Sequence, residues 1–263
     1  MLPIERLSQN EAQKLRVLLF DLDDTILTGG RLEEAAYSAL FRLKESGLEL
    51  VAVTGRPLGW GEVVARQWPI LGAVTENGAV ACACTEGRLE IIDFGLEERA
   101  ARAVRLSEIV GTIQSRFPEL RPSDDVHGRR SDFTFDVGEH ERLPEETILA
   151  VQTYAHSLGA RTVASSVHVH VTLDGLDKAT GAARFLGRRL GMDSTEARVE
   201  AAFIGDSEND AACFGAFRTT IGVSNLRGRP TLAPRFITTA ARGAGFAEAA
   251  AVIVARRTTP KHG

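Results

Sequence analysis

The stretch "VLLFDLDDTILTGG", Val17–Gly30, decides how this chain folds. Four consecutive apolar residues, Val17–Phe20, have the unbroken pattern of a strand covered on both faces, as in a parallel sheet. Asp21, Asp23 and Asp24 follow at once, then Thr25 and, further on, Gly29 and Gly30. Clustered carboxylates repel one another, and burying a charge is costly unless something of opposite sign pairs with it. A buried strand that ends in acid therefore calls for a cation.

Outward from this stretch, similar short apolar runs recur: "RVLLF" at 16–20, "ELVAVT" at 49–54, "AAFIG" at 201–205, "TTIGV" at 219–223 and "RFITT" at 235–239. Between the first two, Leu32, Ala36, Leu40 and Leu43 repeat at helical spacing, and Gly47 follows as a C′ residue. That is a βαβ unit. "DKATGAARFLGRRLG" reads as a further helix ending at a glycine before "AAFIG".

The middle of the chain has a different texture. Residues 96–117 form a long helical pattern with Ala103, Val110 and Phe117 on one stripe. "DFTFDV" at 132–137 alternates, and "PEETILAVQTYAHSLG" opens with Pro144 and acids and closes at Gly159, as a helix does. "VHVHVTL" at 167–173 places Val167, Val169, Val171 and Leu173 on one face and His168, His170 and Thr172 on the other. One-sided strands with amphipathic helices predict an α+β layer. The expected architecture is an α/β parallel-sheet core built from 1–82 and 173–263, with an α+β domain inserted at 83–172.

Length, composition and charge narrow the class. A chain of 263 residues is long enough for a domain plus an insertion. Its 44% hydrophobic and 25% charged residues are those of an ordinary globular protein, and a net charge of −4 argues against a nucleic-acid binder. Cys82, Cys84 and Cys213 form no disulfide framework and point to a reducing compartment, with Cys82 and Cys84 as small buried strand residues. No stretch resembles a signal peptide or a membrane span, so a cytoplasmic location without membrane partners is expected. The oligomeric state is not legible.

Ligands of open α/β sheets bind beyond the carboxyl ends of the strands. Asp21 and Asp23, Thr54 in "VTGRP", and Asp206 in "FIGDSEND" all end such strands, with Asn209 and Asp210 one turn beyond. Lys178 opens the helix before the third of them. Oxygen donors around a hard divalent cation account for the cluster. A calcium loop of the EF-hand kind does not, because the positions that need Gly and Glu hold Ile26 and Leu32. Helix or turn capping explains Asp24 as well as catalysis does.

"DLDDT", "VTGR", Lys178 and "GDSEND" resemble, in order, the four motifs of haloacid-dehalogenase-superfamily phosphatases. Asp24 stands where that first motif often has Gly. An insertion between the Thr and Lys motifs is similar to the large α/β cap of the type IIB subgroup, the Cof-like and sucrose-phosphatase-like sugar phosphatases, over a Rossmann-like core. The resemblance implies that Asp21 is the nucleophile that forms an aspartyl-phosphate, and Asp23 the general acid and base. It implies Mg²⁺ held by Asp21, Asp206 and the backbone carbonyl of Asp23, with Asp210 as a water-mediated partner. Thr54 would donate to the phosphoryl group, Lys178 would neutralise nucleophile and phosphoryl oxygens, and Asn209 would orient Lys178 or its neighbours. Gly55 and Ser207 would shape the loops.

Further candidates lie beside these motifs and in the inserted domain. Arg56 follows Thr54 at a helix start, where a cation gains nothing from the dipole, which points to a contact with substrate or cap. Asn77 in "TENGA" matches an "NGA" stretch near the family's cap entry, and a plain turn explains it equally well. Trp60 and Trp68 read as packing residues, and His127 as part of a solvated loop. In the inserted domain Arg130, Asp132 and His168 are the expected substrate-side residues, with Ser166 beside them; the alternative is that they form a solvent face. The leading expectation is a Mg²⁺-dependent phosphomonoesterase acting on a small phosphorylated metabolite, a sugar phosphate. A sugar phosphotransferase or phosphomutase, or a non-catalytic phosphate-binding module, are the alternatives.

Overall fold

A computed structural model of the chain describes residues 1–165, 167–226 and 230–258; Ser166 lies outside them. The apolar runs assemble into a nine-stranded sheet. Its order is Leu2–Pro3, Phe236–Ile237, Thr219–Gly222, Ala201–Gly205, Val17–Phe20, Glu49–Val53, Gly72–Thr75, Val80–Thr85 and Arg88–Asp93. The first seven are mutually parallel; Val80–Thr85 runs antiparallel to Gly72–Thr75, and Arg88–Asp93 turns back antiparallel to Val80–Thr85. Alternate residues of the central strands face opposite cores, which is why their sequences are apolar without interruption. Leu18, Phe20, Leu50 and Ala52 pack on one side with helices Glu34–Glu45 and Arg242–Thr258. Val17, Leu19, Val51 and Val53 pack on the other with helix Lys178–Leu190. Helix Glu34–Glu45 stops where Gly47 takes a φ of +85°, a left-handed conformation that glycine adopts without strain.

The sheet runs past residue 82, where the inserted segment was expected to begin. Val80, Ala81, Cys82 and Ala83 are buried, and a two-residue turn, Glu86–Gly87 with φ of +51° and +76°, folds the chain back as Arg88–Asp93. Both residues have the positive φ of a primed hairpin turn. Cys82 is buried and Cys84 half-buried on this strand.

The inserted residues form a four-stranded antiparallel sheet in the order Arg161–Ala164, His168–Thr172, Asp132–Asp136 and Arg121–Pro122. Helices Arg99–Arg116 and Glu145–Ser157 cover one face through Leu106, Ile109, Val110, Ile113, Val151 and Ala155, packed on Phe135, Val169 and Val171. Of the expected stripe Val110 is buried and Phe117 partly covered, while Ala103 is exposed; Leu106, Ile109 and Ile113 make up the buried face instead. The opposite face is polar, with Thr134 paired to His170 and Asp136 to His168. That row is buried rather than solvated, because the inserted sheet presses it against the carboxyl end of the core sheet.

Candidate active site

Strand Val17–Phe20 lies between Ala201–Gly205, which comes late in the chain, and Glu49–Val53, which comes early. The strand order reverses there, so the loops beyond these strand ends splay apart and leave a crevice. Asp21, Thr54 and Asp206, each the first residue after its strand, are all buried at this crevice.

Lys178 is the first residue of helix Lys178–Leu190, where the helix dipole disfavours a cation. Two carboxylates hold it there: its Nζ lies 2.9 Å from Asp21 Oδ1 and 2.8 Å from Asp210 Oδ1. Burial works against the ammonium, and Asp21 and Asp210 more than offset it, so Lys178 stays protonated well above its ordinary range. Asp210 Oδ2 accepts the backbone N–H groups of Asp206 (2.9 Å) and Ser207 (3.1 Å), which fixes the Asp206 loop. Both Asp210 oxygens are thus engaged, and it acts as a buttress for Asp206 and Lys178.

Asp21, Asp206 and Asp210 each bring a carboxylate oxygen within 4.8 Å of the others. One lysine does not balance three buried acids. Burial, followed by the Asp210 charge, pushes Asp206 up to about 9; burial, partly offset by Lys178, pushes Asp21 up to about 7. Asp206 Oδ1 accepts from Thr25 Oγ1 at 3.3 Å, while its Oδ2 is buried with no hydrogen-bond partner. An orphaned carboxylate oxygen in an all-oxygen set fits a hard divalent cation. Adding Mg²⁺ at about 100 times its Kd should therefore raise Tm by about 5–10 °C. It should also release protons, seen as a buffer-dependent binding enthalpy, because the cation favours the ionised form of both aspartates. Asp206→Asn should abolish both effects; a full response in that variant would remove Asp206 from the site.

Asp23 does not join this cluster through its side chain. Arg56 clasps it, with Nε at 3.0 and 2.8 Å from the two oxygens and Nη2 at 2.6 Å from Oδ1. The guanidinium lies 4.1 Å from the Trp60 ring centre. Arg56 is thus an intramolecular partner of Asp23, which explains a cation at a helix start, and Trp60 is its packing platform. Trp68 packs on Tyr37. Asp24 turns away at a φ of +53° and pairs with Arg242 at 3.1 Å. Thr54 Oγ1 accepts the Arg56 N–H at 3.1 Å, shaping the turn. Asn209 Oδ1 accepts from Ser207 Oγ at 2.7 Å; Asn209 and Ser207 both line the crevice, and Asn209 makes no bond to Lys178.

The inserted domain closes the crevice to a cavity of about 20 Å³. Asp21, Asp23, Gly55, Arg56 and Asp206 bound it from the core, and Ser165, Val167, His168 and His170 from the cap. This is room for about one water, less than a phosphate ester occupies. His168 sits in the cavity wall with Nε2 2.8 Å from Glu139 Oε2. Asp132, also expected on the substrate side, does not line the cavity: it is buried beside His170, bound by Arg129 (3.1 Å) and by His170 Nδ1 (2.8 Å), and borders a separate groove. The side chain of Arg130 is not brought to the cavity: it is exposed and lines a separate groove with Arg99 and Arg102, while its backbone N–H serves the core. Asn77, at a φ of +52°, is buried under Gly55 with Oδ1 unpartnered and does not line the cavity. His127 is exposed.

Three residues of the cap–core seam were not among the expected site residues. Arg129 Nη1 reaches across to the Gly55 carbonyl at 2.9 Å. Glu76, buried in the core, accepts from the cap's Arg130 N–H (2.9 Å), Ser131 N–H (2.7 Å) and Ser131 Oγ (2.7 Å). His170 completes the set. Glu76 adjoins Asn77 at a φ of +51°, a conformation unusual for glutamate, and that "TENGA" turn was the available signal.

Residues 14–236 match the family described as sucrose-6F-phosphate phosphohydrolase. A phosphoglycolate phosphatase of Archaeoglobus fulgidus is 29% identical over 238 residues, covering 90% of this chain and 96% of the relative. A Thermoplasma acidophilum protein of solved structure superposes with a TM-score of 0.70 at 19% identity, covering 89% of this chain and 96% of that one. The sucrose-phosphatase of Synechocystis, solved with sucrose and phosphate, superposes with a TM-score of 0.63 at 16% identity, covering 92% of this chain and 98% of that one.

Proposed function

This chain belongs to the sucrose-6F-phosphate phosphohydrolase family of the haloacid-dehalogenase superfamily and is a phosphatase; from that premise we propose that it is a Mg²⁺-dependent phosphomonoesterase of a small hydroxylated metabolite, a sugar phosphate, working through an aspartyl-phosphate on Asp21. The observation that supports this most is the constellation of Lys178 with Asp21, Asp206 and Asp210 at the strand ends. It supplies a nucleophile, a fixed cation and a cation-binding set at one point.

The cation site, when loaded through Asp21, Asp206 and the backbone of Asp23, supplies charge for the phosphoryl oxygens. The chain's own groups do the rest. An Asp21 carboxylate oxygen attacks phosphorus, and the bond from phosphorus to the ester oxygen breaks. Asp23 gives that oxygen its proton. In the second half Asp23, again a carboxylate, takes a proton from water as the water oxygen attacks phosphorus. The bond to Asp21 then breaks and phosphate leaves. Arg56 positions Asp23 while it is a carboxylate and gives up one of its oxygens when Asp23 carries the acid proton, and Lys178 and the Thr54 hydroxyl face the transferring group.

Asp23→Asn should slow turnover of alkyl phosphates by roughly 10²–10⁴-fold, and of aryl phosphates, whose leaving group needs no proton, by less. Equal losses on both would remove Asp23 from the first half-reaction. The class of substrate is tested by phosphate release, with Mg²⁺, from a panel of hexose, pentose and glycerol phosphates, 2-phosphoglycolate and nucleotides. Sugar or polyol phosphates leading the panel supports the reading. The curated relatives favour one competitor, 2-phosphoglycolate, and its clear lead would replace the sugar phosphate.

A further inference from the structure

His170 is a buried imidazole in the cavity wall that none of the roles above uses. Its Nδ1 lies 2.8 Å from Asp132 Oδ2. Burial alone would raise Asp132, yet Arg129 and His170 hold it below the usual carboxylate range, so it is ionised and can only accept. Nδ1 therefore carries the hydrogen, and the tautomer is set. Burial lowers His170 itself, against the pull of Asp132, so the ring is neutral at pH 7 and Nε2 offers a lone pair.

That second nitrogen is turned to the Thr54–Gly55–Arg56 turn. A Cβ on Gly55 would meet His170 Nε2 and Cε1, each at 3.2 Å. Gly55 thus keeps open the space into which the imidazole edge descends. The ring's height is fixed from both domains: Arg129 spans Asp132 and the Gly55 carbonyl, and Glu76 grips the backbone just before Asp132. His168, by contrast, leans on the half-exposed Glu139 and has no such tie to the core.

An ester whose phosphorus sits at Asp21 must point its leaving group away from the core, toward the cap wall of the same cavity. We propose that His170 is a specificity-determining residue, its Nε2 accepting a hydrogen bond from a hydroxyl of the leaving group, with Asp132 as its positioning residue. This rests on the phosphomonoesterase reading and names the chemistry of its substrate: a hydroxyl close to the ester, rather than a bare alkyl group or a carboxylate.

Three two-carbon probes separate these possibilities: 2-hydroxyethyl phosphate, ethyl phosphate and 2-phosphoglycolate, assayed by phosphate release with Mg²⁺. The wild type should prefer 2-hydroxyethyl over ethyl phosphate by about 10-fold in kcat/KM, the size of one well-made hydrogen bond. His170→Leu should bring that ratio to about 1 by raising KM for the hydroxyl probe, and His170→Gln, which can still accept through Oε1, should restore part of it. Asp132→Asn should give an intermediate ratio, because the tautomer is no longer fixed. A ratio measured within one preparation does not depend on the folded fraction, so poor folding of a variant does not mimic the result. A wild-type ratio near 1, or an unchanged ratio in His170→Leu, overturns the proposal while leaving the phosphatase reading intact. A preference for 2-phosphoglycolate that vanishes in His170→Leu overturns the acceptor role, since it requires an imidazolium donor. Release of phosphate from none of the three probes or the panel overturns the phosphomonoesterase reading, and this proposal with it.

Discussion

Asp21→Asn should cut turnover by at least about 10⁴-fold on every phosphate ester, because an amide is no nucleophile toward phosphorus. The fold should survive and gain slightly in stability without added cation. Burial already pushes Asp21 up to about 7, so ionising it costs free energy that the neutral amide does not. Lys178 keeps its contact with Asp210 at 2.8 Å, so the lysine is not stranded. Steady-state kinetics and thermal unfolding of the same preparation check both halves. A variant of unchanged Tm that keeps near-native kcat would exclude Asp21 as the nucleophile.

Lys178→Met should do the reverse and damage the fold together with the activity. Lys178 is fully buried between Asp21 and Asp210. Its loss leaves two carboxylates in the interior with no cation, a cost of about 3–5 kcal/mol. For a chain of this length that is a fall in Tm of about 10 °C in metal-free buffer. Mg²⁺ should return part of the stability, since it replaces some of the missing charge, but not the activity, because the phosphoryl oxygens still lack the ammonium. An unchanged metal-free Tm would mean that the acids are compensated by something other than Lys178.

The parallel core was readable because strands buried on both faces have no polar alternation to confuse them. "VLLF" and "ELVAV" show this directly, and the acids, Thr54 and Lys178 stand at fixed offsets from such strands or the next helix. The sheet's antiparallel end was not readable in the same way: Val80–Thr85 and Arg88–Asp93 follow a change of direction that no helix announces, and Glu86 takes the left-handed turn position usually given to Asn, Asp or Gly. The alternation of "VHVHVTL" correctly separates His168 and His170 from Val169 and Val171. Periodicity says which residues share a face and not what covers that face. Here the core sheet's carboxyl end covers it, so the imidazoles are buried, and His170 rather than Arg130 reaches the Gly55 turn. Arg129 and Arg130 differ by one position in a loop. Only the folded backbone shows that Arg129 is the one turned inward, to Asp125, Asp132 and the Gly55 carbonyl. Arg56 was legible as an anomaly at a helix start, but its partner, Asp23, lies 33 residues earlier.

The central claim is a covalent phosphoryl group on one aspartate. Wild-type protein with Mg²⁺ and the best ester of the panel, quenched in acid within its first turnover and mapped by peptide mass spectrometry, tests it directly. The account predicts one phosphoryl group on the peptide containing Asp21, assigned to Asp21 and absent from Asp21→Asn. Phosphate release with no labelled aspartate at any quench time, or with the label on another residue, would contradict it.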